Sequence, residues 1–268
     1  MKSGGLRTYA VLYLIFLYAP IALLPLFAFN DSKIIAFPLS GFTTNWFAEM
    51  AADSSLHEAL FNSLTVAVAA SILSTCLGLF AARATTGFRF PGKGAITGLI
   101  MLPLVLPEMI VAMALLAVMT SIGFPLSIFT IIMGHMLICT PFAVAILSSA
   151  FQSLDGSLEE AAYDLGETPW SAFRLVILPL VLPGIISSLL ICFTISLDEF
   201  IIANFLGGST KVLSVYIYGQ FRFPAKVPSM LALGTILVLT SIMLLTIAEY
   251  FRRRGIAKTG GKDTGGFL

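Results

Sequence analysis

The chain has 268 residues, of which 58% are apolar and only 11% charged, about half the share of roughly 25% usual in soluble domains. Lys and Arg number 15 against 14 Asp and Glu, a net charge of +1, so bulk charge gives no hold on nucleic acid. This composition excludes a disordered chain, a secreted disulfide scaffold and an ordinary soluble enzyme, and leaves an integral membrane protein.

Thr8–Phe29 is an uncharged run of 22 residues after Lys2 and Arg7. It is too long for a signal peptide and is not followed by an A-x-A site, so it is expected to be an uncleaved first span. Asn30–Glu58 forms the longest outer segment, with Trp46 and Phe47 placed to meet the interface. Ala59–Ala82 is the second span. Two more lie between Lys93 and Leu154, where Glu108 is the only acid and Gly123 and Pro125 mark the turn. Leu175–Leu197, carrying Pro179 and Pro183, is the fifth, and Val227–Ala248 the sixth. A bilayer core of about 30 Å needs about 20 apolar residues as a helix. Backbone groups in lipid must be satisfied internally, and no alternation suggests barrel strands, so the expected fold is an all-α membrane protein with six transmembrane helices.

Lys and Arg set the orientation. With the N-terminus cytoplasmic, 11 basic residues fall inside and 4 (Lys33, Lys211, Arg222 and Lys226) outside. The tail from Gly255 to Leu268 is expected to lack structure. Residues 151–174 break the inside-positive pattern: Asp155, Glu159, Glu160, Asp164 and Glu167 stand against Arg174 alone.

That acidic loop carries its own structural signals. Ser157-Leu-Glu-Glu160 has the spacing of a capping box. A short helix is expected through Ala161, Ala162 and Leu165, stopped by Gly166 in a left-handed turn. Thr168-Pro169 then starts a second short helix, with threonine as cap, and Pro179 leads into the fifth span.

Glu160-Ala161-Ala162, Gly166 and Leu178-Pro179 resemble the EAA loop of bacterial ABC-importer permeases, with Val176 where isoleucine is usual. The resemblance implies a MetI-like, type I ABC importer permease fold. It also implies that the loop docks on a cytoplasmic ATPase, with Ser157 and Glu160 capping, Ala161 and Ala162 as close contacts, Leu165 as a plug and Gly166 as the turn. The wider stretch from about Asn30 to Arg254 is similar to the second permease of spermidine/putrescine transporters, notably in Ser196-Leu-Asp198-Glu199-Phe-Ile-Ile-Ala203, in Pro103-Leu-Val-Leu-Pro107-Glu108 and in Tyr216-Ile-Tyr218 with Arg222. Pro224-Ala-Lys-Val-Pro228 departs from the family's run before the last helix.

That resemblance divides the chain into a cytoplasmic N-terminus (1–7), a first helix (8–29), a periplasmic segment (30–58), a core with helices two to six (59–250) holding the EAA loop at 151–179, and a basic cytoplasmic tail (251–268). It implies a bacterial inner-membrane subunit that does no bond chemistry and carries neither cofactor nor metal. Its partners would be a homologous second permease, two ATPase subunits and a periplasmic or tethered solute-binding protein. The cargo would be a small organic cation, most simply putrescine or spermidine. An opine or amino-acid derivative, or an ion-coupled secondary transporter, stands as the alternative.

Glu108, Asp198 and Glu199 are the acids within or at the ends of the spans. Each costs about 2.5–3.5 kcal/mol at a bilayer centre, so each should face a cavity or a partner. Spaced carboxylates and aromatic faces suit a flexible chain of ammonium groups, which puts Asp198, Glu199, Glu108, Trp46 and Tyr218 on a candidate path. Glu199 also has a structural alternative: Ser196-Leu-Asp-Glu199 is itself a capping box, so Glu199 can simply start a helix. Pro103 and Pro107 should kink or open the third span beside Glu108. His135 is expected to be a buried interhelical hydrogen-bonder.

Overall fold

A computed structural model describes residues 3–259. Lys2 and the last part of the expected basic tail, 260–268, lie outside the described residues. In chain order the helices are α1 (Ser3–Ala28), α2 (Asn45–Ala51), α3 (Ser54–Gly87), α4 (Lys93–Val105), α5 (Glu108–Ser121), α6 (Ile128–Gln152), α7 (Ser157–Asp164), α8 (Pro169–Ala172), α9 (Leu178–Asp198), α10 (Ile201–Leu206), α11 (Leu213–Gln220) and α12 (Val227–Thr259). A π turn, Phe173–Ile177, joins α8 to α9, and a 3₁₀ turn, Pro224–Lys226, precedes α12. An antiparallel bridge between Asn30 and Phe42 is isolated, and the described residues contain no strand.

Among the described residues five helices are long and apolar enough to cross a membrane, and a bent pair makes six if it is counted as one span. In that pair α4 and α5 meet at 107°. Leu106, the residue before Pro107, is extended (φ −83°, ψ 141°), as the proline ring demands of its neighbour. Pro103 stays inside α4. The expected opening of the third span is therefore a full break, made by Pro107 alone.

Two boundaries differ from expectation. The second short helix is not separate: Pro169–Asp198 is one apolar helix of 30 residues, widened by the π turn. Pro179 lies two residues after that turn and has no N–H for the carbonyl one turn back. At the other end of the chain, α12 continues to Thr259, so residues 255–259 are helical rather than without structure.

The chain divides into two compact units, residues 1–53 with 217–268, and residues 54–216. In the first, α1 and α2 both pack on α12. Ala28, Trp46 and Ala232 form its small core. The Trp46 indole N–H donates to the carbonyl of Asn30 at 2.8 Å. Asn30 in turn accepts from the Ser40 amide at 3.1 Å, which folds the stretch after α1 back on itself.

In the second unit α3, α6 and α9 pack most extensively. Small residues let them close: a Cβ on Gly78 would lie 2.6 Å from Ala143 Cβ, and one on Gly184 would lie 2.7 Å from Ala150 Cβ. Thr75 and Ser188 join α3 to α9 through their hydroxyls at 3.0 Å, buried. α10 packs on α5 and α6, with Ile202 and Leu206 among Val111, Ala112 and Ile138.

Candidate functional site

The acidic loop forms the expected short helix, stopped where expected. Gly166 is left-handed at φ +86°. Its amide donates to the Tyr163 carbonyl at 2.9 Å, and the Glu167 amide donates to the Ala162 carbonyl at 3.1 Å. These two bonds are a Schellman closure, which needs glycine's freedom at the left-handed residue. Thr168 then caps α8 by accepting from the Ser171 amide at 3.3 Å, with Pro169 in the first turn.

The start of α7 is a correction. Ser157 and Glu160 do not form a capping box. Ser157 is already the first helical residue, and the Glu160 amide donates to the Gly156 carbonyl at 3.3 Å. Gly156 is the N-cap, without a side-chain cap bond, and the preceding Asp155 takes the first helical amide: its Oδ1 accepts from Ser157 at 3.0 Å. The amide and hydroxyl of Ser157 hold the Asp155 carboxyl below the usual carboxylate range. Glu160 is exposed and takes no part in the cap.

The alanines also separate. Ala161 is exposed, whereas Ala162 is only 5% exposed and packs into its own chain. One alanine, not two, is open to a partner. Leu165, at 86% exposed, is the uncovered apolar plug, and Trp170, at 67%, stands beyond the turn, stacked on Phe173. Leu178 packs into the cluster of Leu147, Phe151, Ile177 and Val181, while Pro179 is exposed on the second turn position of α9.

Three residues given no place among the coupling candidates organise this region. Glu159 forms an ion pair with Arg83 on α3 and accepts from the Tyr163 hydroxyl at 2.7 Å. Burial pushes the Glu159 carboxyl up, but the Tyr163 hydroxyl and the Arg83 guanidinium outweigh it and hold it below the ordinary range. The guanidinium lies over Phe88 and Phe151, 5.6 and 6.0 Å from the ring centres. A hollow of about 670 Å³ opens beside the pair, lined among others by Phe80, Glu160, Tyr163 and Trp170. The spacing of Glu159 and Tyr163, one helical turn, was a usable signal. Arg83, 76 residues away in sequence, offered none.

The membrane carboxylates fall into two kinds. Glu199 is buried at the break between α9 and α10. Its Oε1 accepts from the Ile202 amide at 2.8 Å and its Oε2 from the Ala203 amide at 3.1 Å. His135 Nε2 lies 3.0 Å from Oε2, off a hydrogen-bonding direction, while Nδ1 pairs with Ser196 Oγ at 2.7 Å. Glu199 does start a helix, and His135 does pair between helices. The Ser196 box does not form, because its hydroxyl is turned to His135.

Asp198 and Glu108 are exposed on the chain. Glu108 opens α5 directly after the Pro107 break, and α5 packs on α10, the helix that Glu199 starts. The two broken spans therefore bring one satisfied acid and one outward acid together.

The two aromatic candidates differ in burial. Trp46 is 8% exposed, with its N–H engaged, so it is a packing residue of the first unit. Tyr218 is 54% exposed, but its ring already carries the Arg222 guanidinium at 5.9 Å. Trp46 is thus closed to a cation, whereas Tyr218 stays exposed. In the same unit, Lys226 Nζ donates to Glu49 Oε1 at 2.8 Å.

Residues 74–256 match the family of binding-protein-dependent transport system inner membrane components. The chain is 35% identical over 247 residues to the putrescine transport system permease protein PotI of Escherichia coli (strain K12), covering 89% of this chain and 87% of that protein. It is 31% identical over 240 residues to the spermidine/putrescine transport system permease protein PotC of Haemophilus influenzae, covering 89% and 93%. Its fold is similar to a chain in the crystal structure of a bacterial alginate ABC transporter in complex with an alginate pentasaccharide-bound periplasmic protein. There the TM-score is 0.70 at 22% identity, over 94% of this chain and 93% of that one.

Proposed function

The chain belongs to the binding-protein-dependent transport system inner membrane components, and from that premise we propose that it is a permease subunit of an ATP-driven importer of putrescine or spermidine. The single observation behind the cargo is the identity of 35% and 31%, over most of the chain, to permeases named for those polyamines. The chain supplies half of the path, and a homologous permease supplies the other half. Two ATPase subunits act on the cytoplasmic side and a solute-binding protein on the periplasmic side. Both termini are cytoplasmic. The chain itself breaks and makes no covalent bond.

The geometry supports a division of labour. α7 and the turn at Gly166 present Ala161, Leu165 and Glu160 outward, as a docking element requires. ATP-driven closure of the ATPases displaces this element, and the membrane helices switch the side to which the path opens. Such a switch needs contacts that differ between the two states.

Glu108 and Asp198 face out of the chain, where the facing permease or the path lies. A carboxylate is costly beside lipid and favourable beside an ammonium group. Glu199 and His135 hold the α9–α10 break from behind, so Asp198 and Glu108 are the acids left for the cargo.

The test is uptake of labelled putrescine by vesicles containing the whole assembly. Uptake is expected only with ATP on the ATPase side and binding protein on the other. Uptake that persists in ATP-depleted vesicles under a proton or sodium gradient would instead make the chain an ion-coupled transporter.

A further inference from the structure

We infer that Arg83 is a positioning residue for energy coupling: through Glu159 it ties α7 to the end of α3, so that a displacement of α7 passes directly into the α3–α6–α9 core. This rests on the importer reading, in which an ATPase moves α7.

The backbone leaves α7 loosely held. It is entered through residues 153–156 and left through the left-handed turn at Gly166, and its main packing partners, α8 and the π turn, lie just after it in the chain. Through these packing partners a pull on α7 reaches α9. The side chains add a second route. The Arg83–Glu159 ion pair crosses from α3 to α7, with each side chain about one-fifth exposed (22%). Tyr163, one turn along α7, fixes the same carboxylate oxygen.

Arg83 is itself held in place. Its guanidinium lies over Phe88, just past the end of α3, and over Phe151 near the end of α6. Gly87 leaves it room, because a Cβ there would come within 3.1 Å of Nη1. One cation thus touches the ends of α3 and α6 and the coupling helix. Eight residues back along α3, about 12 Å on an ideal helix, Thr75 is bonded to Ser188 of α9. Gly78, between them, sits on Ala143 of α6. A force applied at Arg83 therefore enters a helix already clasped to both of its neighbours. Partly exposed ion pairs add little to stability, so the pair's contribution lies in what moves together.

The experiment uses the complete transporter in proteoliposomes and reads putrescine taken up per ATP hydrolysed. Arg83→Gln and Glu159→Gln are each expected to lower that ratio at least fivefold, with the ATPase still co-purifying in wild-type amount. The exchanged pair, Arg83→Glu with Glu159→Arg, is expected to return it to within twofold of wild type. Tyr163→Phe removes one hydroxyl without disturbing the fold and should give an intermediate ratio. A wild-type ratio in both single variants and in Tyr163→Phe would overturn the inference, as would an exchanged pair no better than the singles. If the unaltered assembly fails to take up putrescine with ATP, the importer reading itself falls. If it succeeds and Arg83→Gln matches it, only the role of Arg83 falls.

Discussion

His135 Nε2 lies 3.0 Å from Glu199 Oε2 in the interior of the second unit, where that carboxylate also receives two amides of α10. The pair sits behind the break between α9 and α10 and joins it to α6. Removing the carboxylate leaves the amides of Ile202 and Ala203 buried without their acceptor. Each unsatisfied buried donor costs roughly 1–3 kcal/mol. Glu199→Ala should therefore lower the thermal midpoint of the purified protein sharply. Glu199→Gln keeps an acceptor for the amides and should lower it much less. Equal midpoints for the two variants would contradict this account of Glu199.

Asp198 stands next to Glu199 yet faces outward. Asp198→Asn should raise the putrescine concentration for half-maximal uptake on the order of tenfold, or about 1.4 kcal/mol of lost attraction, with little change in thermal midpoint. Concentration-dependent uptake measures the first and a melting curve the second. A large loss of stability with unchanged uptake would make Asp198 a structural residue.

At Gly166 the left-handed conformation is required and the space around it is open. Gly166→Leu should therefore act through the backbone, at roughly 1–2 kcal/mol for the forced conformation. The Schellman bonds should be lost and α8 misdirected. The expected result is normal membrane insertion with uptake reduced severalfold, measured in the same vesicles.

The Glu159 carboxyl is held below the ordinary range, so its contribution has a definite sign. Stability from the Arg83 pair is fully present above the unfolded value of about 4.3. It is lost as pH falls through the lower folded value. The chain has 2 tryptophans, and Trp46→Phe leaves Trp170, beside the loop, as the reporter. Its fluorescence in detergent should change below about pH 4, and Arg83→Gln should move that change to higher pH. A change at the same pH in both proteins would remove Arg83 as the cause.

Much of this was legible because the signals were local. Apolar runs marked the spans, Pro107 marked the break beside Glu108, and Gly166 with Thr168-Pro169 marked the turn of the loop. Ambiguity arose where two residues could do one job. Asp155 and Ser157 both suit a cap, and only the helix start at Ser157 gives the first helical amide to Asp155. Ser196 and Glu199 have the spacing of a box, but His135, 61 residues from Ser196, takes the hydroxyl. Trp46 looked like an interface residue until its N–H met Asn30, 16 residues earlier. Arg83 was hidden for the same reason: its meaning lies in Glu159, and nothing in either local sequence names the other.

In the proposed function this chain carries polyamine only as part of an ATP-driven assembly. The most direct measurement is labelled putrescine uptake by proteoliposomes containing the chain, its partner permease, the ATPases and the binding protein. The account predicts accumulation with enclosed ATP and external binding protein, and none when either is withheld. Equal accumulation without ATP under an imposed ion gradient would contradict it.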